Sequence, residues 1–374
     1  MGKVLGSQFM PLRFPAEVLI SRYRRFQELL RREGIDAVML RTLSSFTYFT
    51  GTKWLRPALL VPTEGEPTAF VARGEEDFFR ERTWVKDVVT FTEGGELMAK
   101  VSRTIRERGY KRVGLEFGLE RDAYILFYEM FKKLNPKVEV VDVSKLIYEL
   151  RTTKDKYELE SIRRAGKVAS KVMEHVLSIV KPGVSETEIA AEAYYKLYSS
   201  GCEEPHVHVN VGPAPRVHSE PFRDVKVREG VFVTVIIGAD YNRYYANMSR
   251  TIYVGRASGT AEKALKCMNE VYELASKLTK AGVRLIDVMK ELDKVYAKYG
   301  LLDYRVVGYA HGVGLQVEEP PITTIVPQHR IVEVKPNMVL AFVHAPLLLK
   351  GLGQVKVEDT FIVREDGELE KVTT

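Results

Sequence analysis

Between residues 16 and 33 apolar side chains recur at Val18, Leu19, Tyr23, Phe26, Leu29 and Leu30, the spacing that gathers them on one face of a helix. Gly34 follows as a stop, and residues 37–40 form a short apolar run of the kind that makes a buried strand. Strand-like runs over 58–61, 68–71, 88–91, 113–117 and 138–143 then alternate with helical stretches over 96–108 and 121–134. Such alternation predicts a compact α/β domain that ends near residue 150.

The clearest helix comes next: Ile162, Ala165, Val168, Ala169, Val172, Met173, Val176, Leu177 and Val180 form one apolar stripe, closed by Lys181-Pro182-Gly183. Ser185, with Glu188 three residues on, is a capping box that starts another helix, and Gly201 ends it. Two further helices over 261–280 and 285–299 mix with β-rich stretches over 231–237, 244–254, 338–343 and 354–363. There is no repeat of solenoid period and no low-complexity linker. This half reads as α+β, helices on one face of a curved antiparallel sheet. The 374 residues thus divide into two expected domains, 1–150 and 151–374.

Composition narrows the function classes. Hydrophobic residues make up 45% of the chain and charged residues 28%, interleaved, which excludes a disordered protein. The net charge of +6 comes without a long basic run, so nucleic acid is not an expected partner. The longest apolar runs, near 231–237 and 338–349, fall short of a bilayer span, and no membrane association is expected. The opening MGKVLGSQFMPLRFP lacks the basic, apolar and small-residue order of a secretory signal. Cys202 and Cys267 have no CxxC spacing and suit a reducing compartment, so a cytoplasmic location is expected. Five glutamines and six asparagines amid abundant Lys, Arg and Glu give the bias of proteins from hot-growing organisms.

Candidate chemistry lies in the second half. His206, His208, His218, His311 and His344 fall on its strands or loops, and His311 opens HGVGLQVEEPP, whose glycines permit close backbone approach. Imidazoles that share β-rich segments with glutamates are candidates for acid–base work, because histidine titrates near neutrality. Each histidine taken alone is more often structural than catalytic.

At these motifs the chain resembles the pita-bread family of Xaa-Pro dipeptidase (prolidase), aminopeptidase P, methionine aminopeptidase and creatinase. RRFQELLRREGIDAVMLRTLSSFTYFTG, RVGLEFG and VDVSKLIYELRTTKDKYELESIRRAGKVA are similar to the creatinase-type N-terminal domain and its exit. KPGVSETEIAAE, GADYNRYYANMSRTIYVG, HGVGLQVEEPP and VKVEDTFIV then follow in the family's order and spacing. The resemblance implies an N-terminal α/β creatinase-type domain, a C-terminal pita-bread domain and a homodimer in which Trp54 is either a contributor to a shared cleft or an ordinary packing residue.

The family's peptidases hold two divalent ions with two aspartates, a histidine and two glutamates. Carried over, the first aspartate falls on Ile236 and the second on Asn247, while the histidine is kept as His311. The first glutamate falls on Val343, or on His344 with one residue gapped, and the last is kept as Glu358. One carboxylate and one imidazole would leave about three of the four positive charges uncompensated. A second motif histidine, seven residues after His311, is replaced by Glu318, which would repel a developing oxyanion.

The resemblance therefore implies a homologue without the dinuclear centre and with no cofactor. Its pocket would serve ligand binding or metal-free, creatinase-like hydrolysis. His218, His311 and Glu358 are the candidate catalytic groups; His208, Glu318 and His344 the candidate contacts to a small peptide-like or guanidino-like ligand. His218 sits where creatinase keeps its proton-shuttling histidine, but Ser219 replaces the glycine that usually follows. Two alternatives stand beside this: a proline-specific metallopeptidase with a site rebuilt from His311, His344 and Glu358, joined by His208 or Glu318, and a non-enzymatic interaction module.

Overall fold

The computed structural model describes residues 13–118, 124–217 and 219–374. The chain divides into two compact units, Met1–Arg151 and Thr152–Thr374. In the first, α1 (Ala16–Arg32) buries Leu19, Tyr23, Phe26 and Leu30, four residues of the expected stripe. Strands β1 (Ala37–Leu40), β2 (Leu59–Pro62), β3 (Thr68–Ala72), β4 (Asp87–Phe91), β5 (Arg112–Leu115) and β6 (Glu139–Asp142) form a mixed sheet ordered β4-β3-β2-β1-β5-β6. Helices α2 (Leu43–Thr50), α3 (Glu76–Arg80), α4 (Gly94–Glu107), α5 (Tyr124–Leu134) and α6 (Ser144–Arg151) connect or follow these strands. Met39, Leu60, Phe70 and Phe91 of the sheet pack with Leu97, Val101 and Ile105 of α4 and Phe127 and Phe131 of α5. The Glu116 carboxylate of RVGLEFG accepts from Thr42 Oγ1 at 2.5 Å and Ser45 Oγ at 2.7 Å, where negative charge favours the N-terminus of α2. Trp54 donates to Glu75 at 2.9 Å and meets Phe79 edge-on.

The second unit starts with two capped helices. Asp155 accepts from Tyr157 N and Glu158 N while Glu158 returns a bond to Asp155 N, a capping box that starts α7 (Lys156–Ile179). The box expected at Ser185 and Glu188 is formed and starts α8 (Glu186–Ser199). At Gly166 a β-carbon would come within 2.5 Å of the Val372 carbonyl oxygen, so the chain's last strand segment passes against α7 only because no side chain is there.

The sheets lie behind these helices. β7 (His206–Val211), β8 (Phe232–Tyr241) and β9 (Tyr244–Tyr253) pair antiparallel. After α9 (Thr260–Leu278) and α10 (Leu285–Lys298) come β10 (Ala310–Gly312), β11 (Glu319–Ile322), β12 (Val339–Phe342), β13 (Leu347–Leu349), β14 (Gly353–Val355), β15 (Asp359–Val363) and β16 (Leu369–Lys371). A sheet ordered β11-β10-β12-β15-β16 results, with β13 and β14 as a separate hairpin. The β-rich stretch 354–363 is made of β14 and β15, with a single bridge between Ser249 and Glu358 just before β15. The α7 and α8 stripes cover β7–β9, while α9 and α10 cover the second sheet through Met268, Val271, Leu292 and Phe361. Among the described residues no helix is long and apolar enough to cross a membrane. Cys202 and Cys267 are free and buried, and burial pushes their thiols up to about 11 and about 12.

Candidate functional site

The register of β7, β8 and β9 builds a polar floor. His208 lies opposite Ile236, Ile236 opposite Ser249, and Ser249 bridges to Glu358. Directly opposed residues share a sheet face, so these four side chains line one surface. Flanking rows on the same face are His206, Gly238 and Asn247 on one side, and Asn210, Thr234 and Thr251 on the other. The alternate residues Val207, Val209, Val211, Val233, Val235 and Ile237 point into the core under α7 and α8. Lys356 joins the floor through Thr251: its N–H donates to Thr251 Oγ1 at 2.9 Å, and that hydroxyl donates to the Lys356 carbonyl at 2.8 Å.

Across this floor stands a buried cluster. His311, on β10, directs Nδ1 to the Gly312 carbonyl at 2.8 Å and Nε2 to Glu358 Oε1 at 3.1 Å. Both partners accept, so both ring nitrogens carry protons. Burial opposes that charge, but the bond to Glu358 overcomes it and holds the His311 pKa above the ordinary histidine value. Burial likewise opposes ionisation of Glu358, yet the Lys356 charge and the bond from His311 keep its carboxyl well below the usual range.

Lys356 Nζ lies 2.9 Å from Glu358 Oε2 and 3.3 Å from His344 Nδ1. Its side chain is 2% exposed. His344 meets His311 edge-on with ring centroids 4.4 Å apart. Burial, reinforced by Lys356 and His311, pushes its pKa well below the normal value, so it is a neutral imidazole. Nδ1 then accepts from Lys356, and Nε2–H faces Glu318 Oε1 at 3.5 Å.

What aims His344 inward is the residue before it. Val343 has a φ of 58°, left-handed and strained for a β-branched side chain. That turn sends the Val343 side chain into the core with Tyr309 and Phe342 and leaves His344 facing Glu358 at 3.4 Å. Of the two positions offered by the sequence, His344 is the one that reaches the cluster.

The structure thus brings together His311, Glu358, His344 and Glu318, with His208 on the floor row that ends at Glu358. His218 lies outside the described residues. Burial lowers the His208 pKa, and Glu220, Lys356 and Glu358 act on it from nearby. Lys356 is the member that sequence reasoning missed, although its period-two spacing from Glu358 in an extended segment points both side chains the same way. Ile236 offers the floor no donor. Asn247 turns its Nδ2 to the Val317 carbonyl at 2.7 Å. Asn247 Oδ1, Ser249 Oγ and Glu318 Oε1 are buried without a hydrogen-bond partner.

A two-domain chain with an α/β first unit and a histidine–glutamate cluster set between antiparallel sheets has the prolidase type of architecture, a creatinase-like domain followed by a pita-bread domain. The chain belongs to metallopeptidase family M24, whose model matches residues 160–365, and the creatinase/prolidase N-terminal domain matches residues 22–153. It is 26% identical over 352 residues to an Xaa-Pro dipeptidase of Pyrococcus furiosus, covering 92% of this chain and 96% of that protein. An uncharacterized peptidase of Bacillus subtilis is also 26% identical, over 92% of this chain and 96% of the relative. The crystal structure of the prolidase from Pyrococcus horikoshii superposes with a TM-score of 0.84 over 95% of this chain and 98% of that one, at 23% identity.

Proposed function

We propose that this chain is a homologue of the Xaa-Pro dipeptidases whose pocket works without the dinuclear metal centre, binding or hydrolysing a small peptide-like or guanidino-like ligand. The observation that carries the reading is the floor itself. Ile236 and Asn247 face the pocket where a two-ion site needs bridging carboxylates, and Asn247 presents an amide already committed to Val317. A bridging ligand must offer charge and lone pairs to two dications; a hydrocarbon and a neutral amide oxygen do not. The residues present therefore do not fit two ions.

The chemistry left is that of the chain's own groups. Asn247 Oδ1 and Ser249 Oγ are open acceptors for a donor-rich group such as a guanidinium or an amine. Lys356 is the fixed positive charge beside them. His311 donates from Nδ1 to Gly312 and from Nε2 to Glu358, and can deliver the Nε2 proton to a leaving group. His218 is the proposed proton shuttle.

One observation favours a second reading. The donor atoms of His311, His344 and Glu358 lie within 4.8 Å of one another, close enough for a single ion. Against it stands the ammonium of Lys356: a dication about 4 Å from a unit charge is repelled by about 8 kcal/mol at an effective dielectric of 20. Elemental analysis after incubation with manganese, cobalt and zinc and desalting tests both. No retained metal is expected, together with chelator-insensitive turnover that is lost in His218→Ala. Two ions per chain with metal-stimulated proline release would overturn the proposal, and one ion per chain would establish the second reading.

A further inference from the structure

We infer that Lys356 is the built-in cation of this pocket: its ammonium, seated between Glu358 and His344, takes the place of a divalent ion, and removing it uncovers a mononuclear transition-metal site made of His311, His344 and Glu358. The inference rests on the metal-free reading above and goes beyond it, because it assigns a cause to the exclusion of metal and a ligand class to the uncovered site.

Three observations support it. The two imidazoles and one carboxylate are fully buried and converge within 4.8 Å, and two histidines with a glutamate are a donor set that holds zinc in hydrolytic enzymes. A metal would need the lone pairs of His344 Nδ1 and Glu358, and Lys356 Nζ stands 3.3 Å and 2.9 Å from them. The ammonium is enclosed there: the side chain is 2% exposed and the backbone on both sides of its Cα is tied to the Thr251 hydroxyl.

Charge completes the argument. Lys356 brings its own positive charge to the place an entering ion would occupy, against the Glu358 carboxylate. An entering dication therefore meets a fixed cation 2.9 Å from the carboxylate it would need. Without Lys356, Glu358 Oε2 loses its buried cation and the carboxylate keeps only its contacts at Oε1, which leaves room and charge for a metal. Ile236 and Asn247 still offer no carboxylate for a neighbouring ion, so the uncovered site takes one ion and not two.

The test compares the full-length wild type with Lys356→Met and Lys356→Gln, the second keeping an amide donor for Glu358. Cobalt(II) is titrated and read by visible absorption, by elemental stoichiometry after desalting and by the thermal midpoint. The wild type should retain no cobalt. Each variant should retain one ion per chain, and its midpoint should rise by about 5–10 °C at a hundredfold excess over Kd. Adding His344→Ala should weaken binding at least tenfold, and Lys356→Arg, which keeps the charge, should stay metal-free. Variants that fold but bind no cobalt would overturn the inference and leave the metal-free reading standing. Cobalt retained by the wild type would overturn both. If neither variant folds alone, refolding from urea with and without zinc decides: recovery with zinc supports the inference, and no recovery overturns it.

Discussion

Among its described residues the second unit holds two buried lysine–glutamate pairs of the same length. Lys154 meets Glu319 at 2.9 Å with side chains 2% and 4% exposed, and Lys356 meets Glu358 at 2.9 Å with side chains 2% and 1% exposed. Their surroundings differ. A β-carbon on Gly314 would come within 2.4 Å of Glu319 Oε1, so backbone is packed hard against that carboxylate, and the Lys154 N–H is held by the Asn337 carbonyl. Around Glu358 stand two imidazoles, one protonated and one neutral. Burial and pairing alone therefore do not make a reactive site. The difference lies in neighbours whose lone pairs and protons can change hands.

The largest effect that can break this contrast is loss of each lysine in turn. Lys154→Met should cost about 3–5 kcal/mol in urea unfolding, because a buried carboxylate loses the ammonium 2.9 Å from it. Without metal, Lys356→Met should cost less, because His311 still donates to Glu358. Zinc should then restore Lys356→Met and leave Lys154→Met where it was. Equal recovery of both would show that the imidazoles add nothing and that the two pairs are equivalent.

A smaller effect probes the closed pair alone. Gly314→Ala forces Glu319 or the backbone of the motif loop to move, at about 1–3 kcal/mol. Thermal unfolding measures it. A cost below about 0.5 kcal/mol, the range of an ordinary surface substitution, would mean that the Lys154 pair has room around it after all.

Much of this arrangement is legible in the residues. The apolar stripe from Ile162 to Val176 and the Ser185–Glu188 box mark α7 and α8 because helical period and cap chemistry are local properties. The short helices α2, α3 and α6 are not legible, since 8, 5 and 8 residues are too few to display a period. The alternation HVHVNV carries the strand signal of β7 and the common direction of His206, His208 and Asn210. Period two would also have placed Lys356 beside Glu358. Val343 is different in kind: local preference argues against a β-branched residue in a left-handed turn, and core packing imposes it, so the choice of His344 over Val343 is settled only by tertiary structure.

A third buried carboxylate sharpens the comparison at the smallest scale. Glu186, in the first turn of α8, accepts from Val211 N at 2.7 Å, from Phe222 N at 2.9 Å and from the Arg216 guanidinium. Its cation is 26% exposed, whereas that of Glu358 is buried. Burial wins here and raises the Glu186 pKa above 4.5 despite those bonds, while at Glu358 the cations win. A carboxyl raised in the folded state binds more protons there than when unfolded. Its contribution to stability is therefore complete below pH 4.5 and is lost as pH rises through the folded value, at up to about 1.4 kcal/mol per pH unit. Glu358 runs the other way, contributing fully above pH 4.5 and losing its effect only as pH falls through its low folded value. Glu186→Gln removes the titration, so urea unfolding should show the stability advantage of the wild type narrowing from pH 4.5 toward neutrality. A widening advantage would put Glu186 in the same class as Glu358, and the contrast between them would then owe nothing to whether the partner cation is buried.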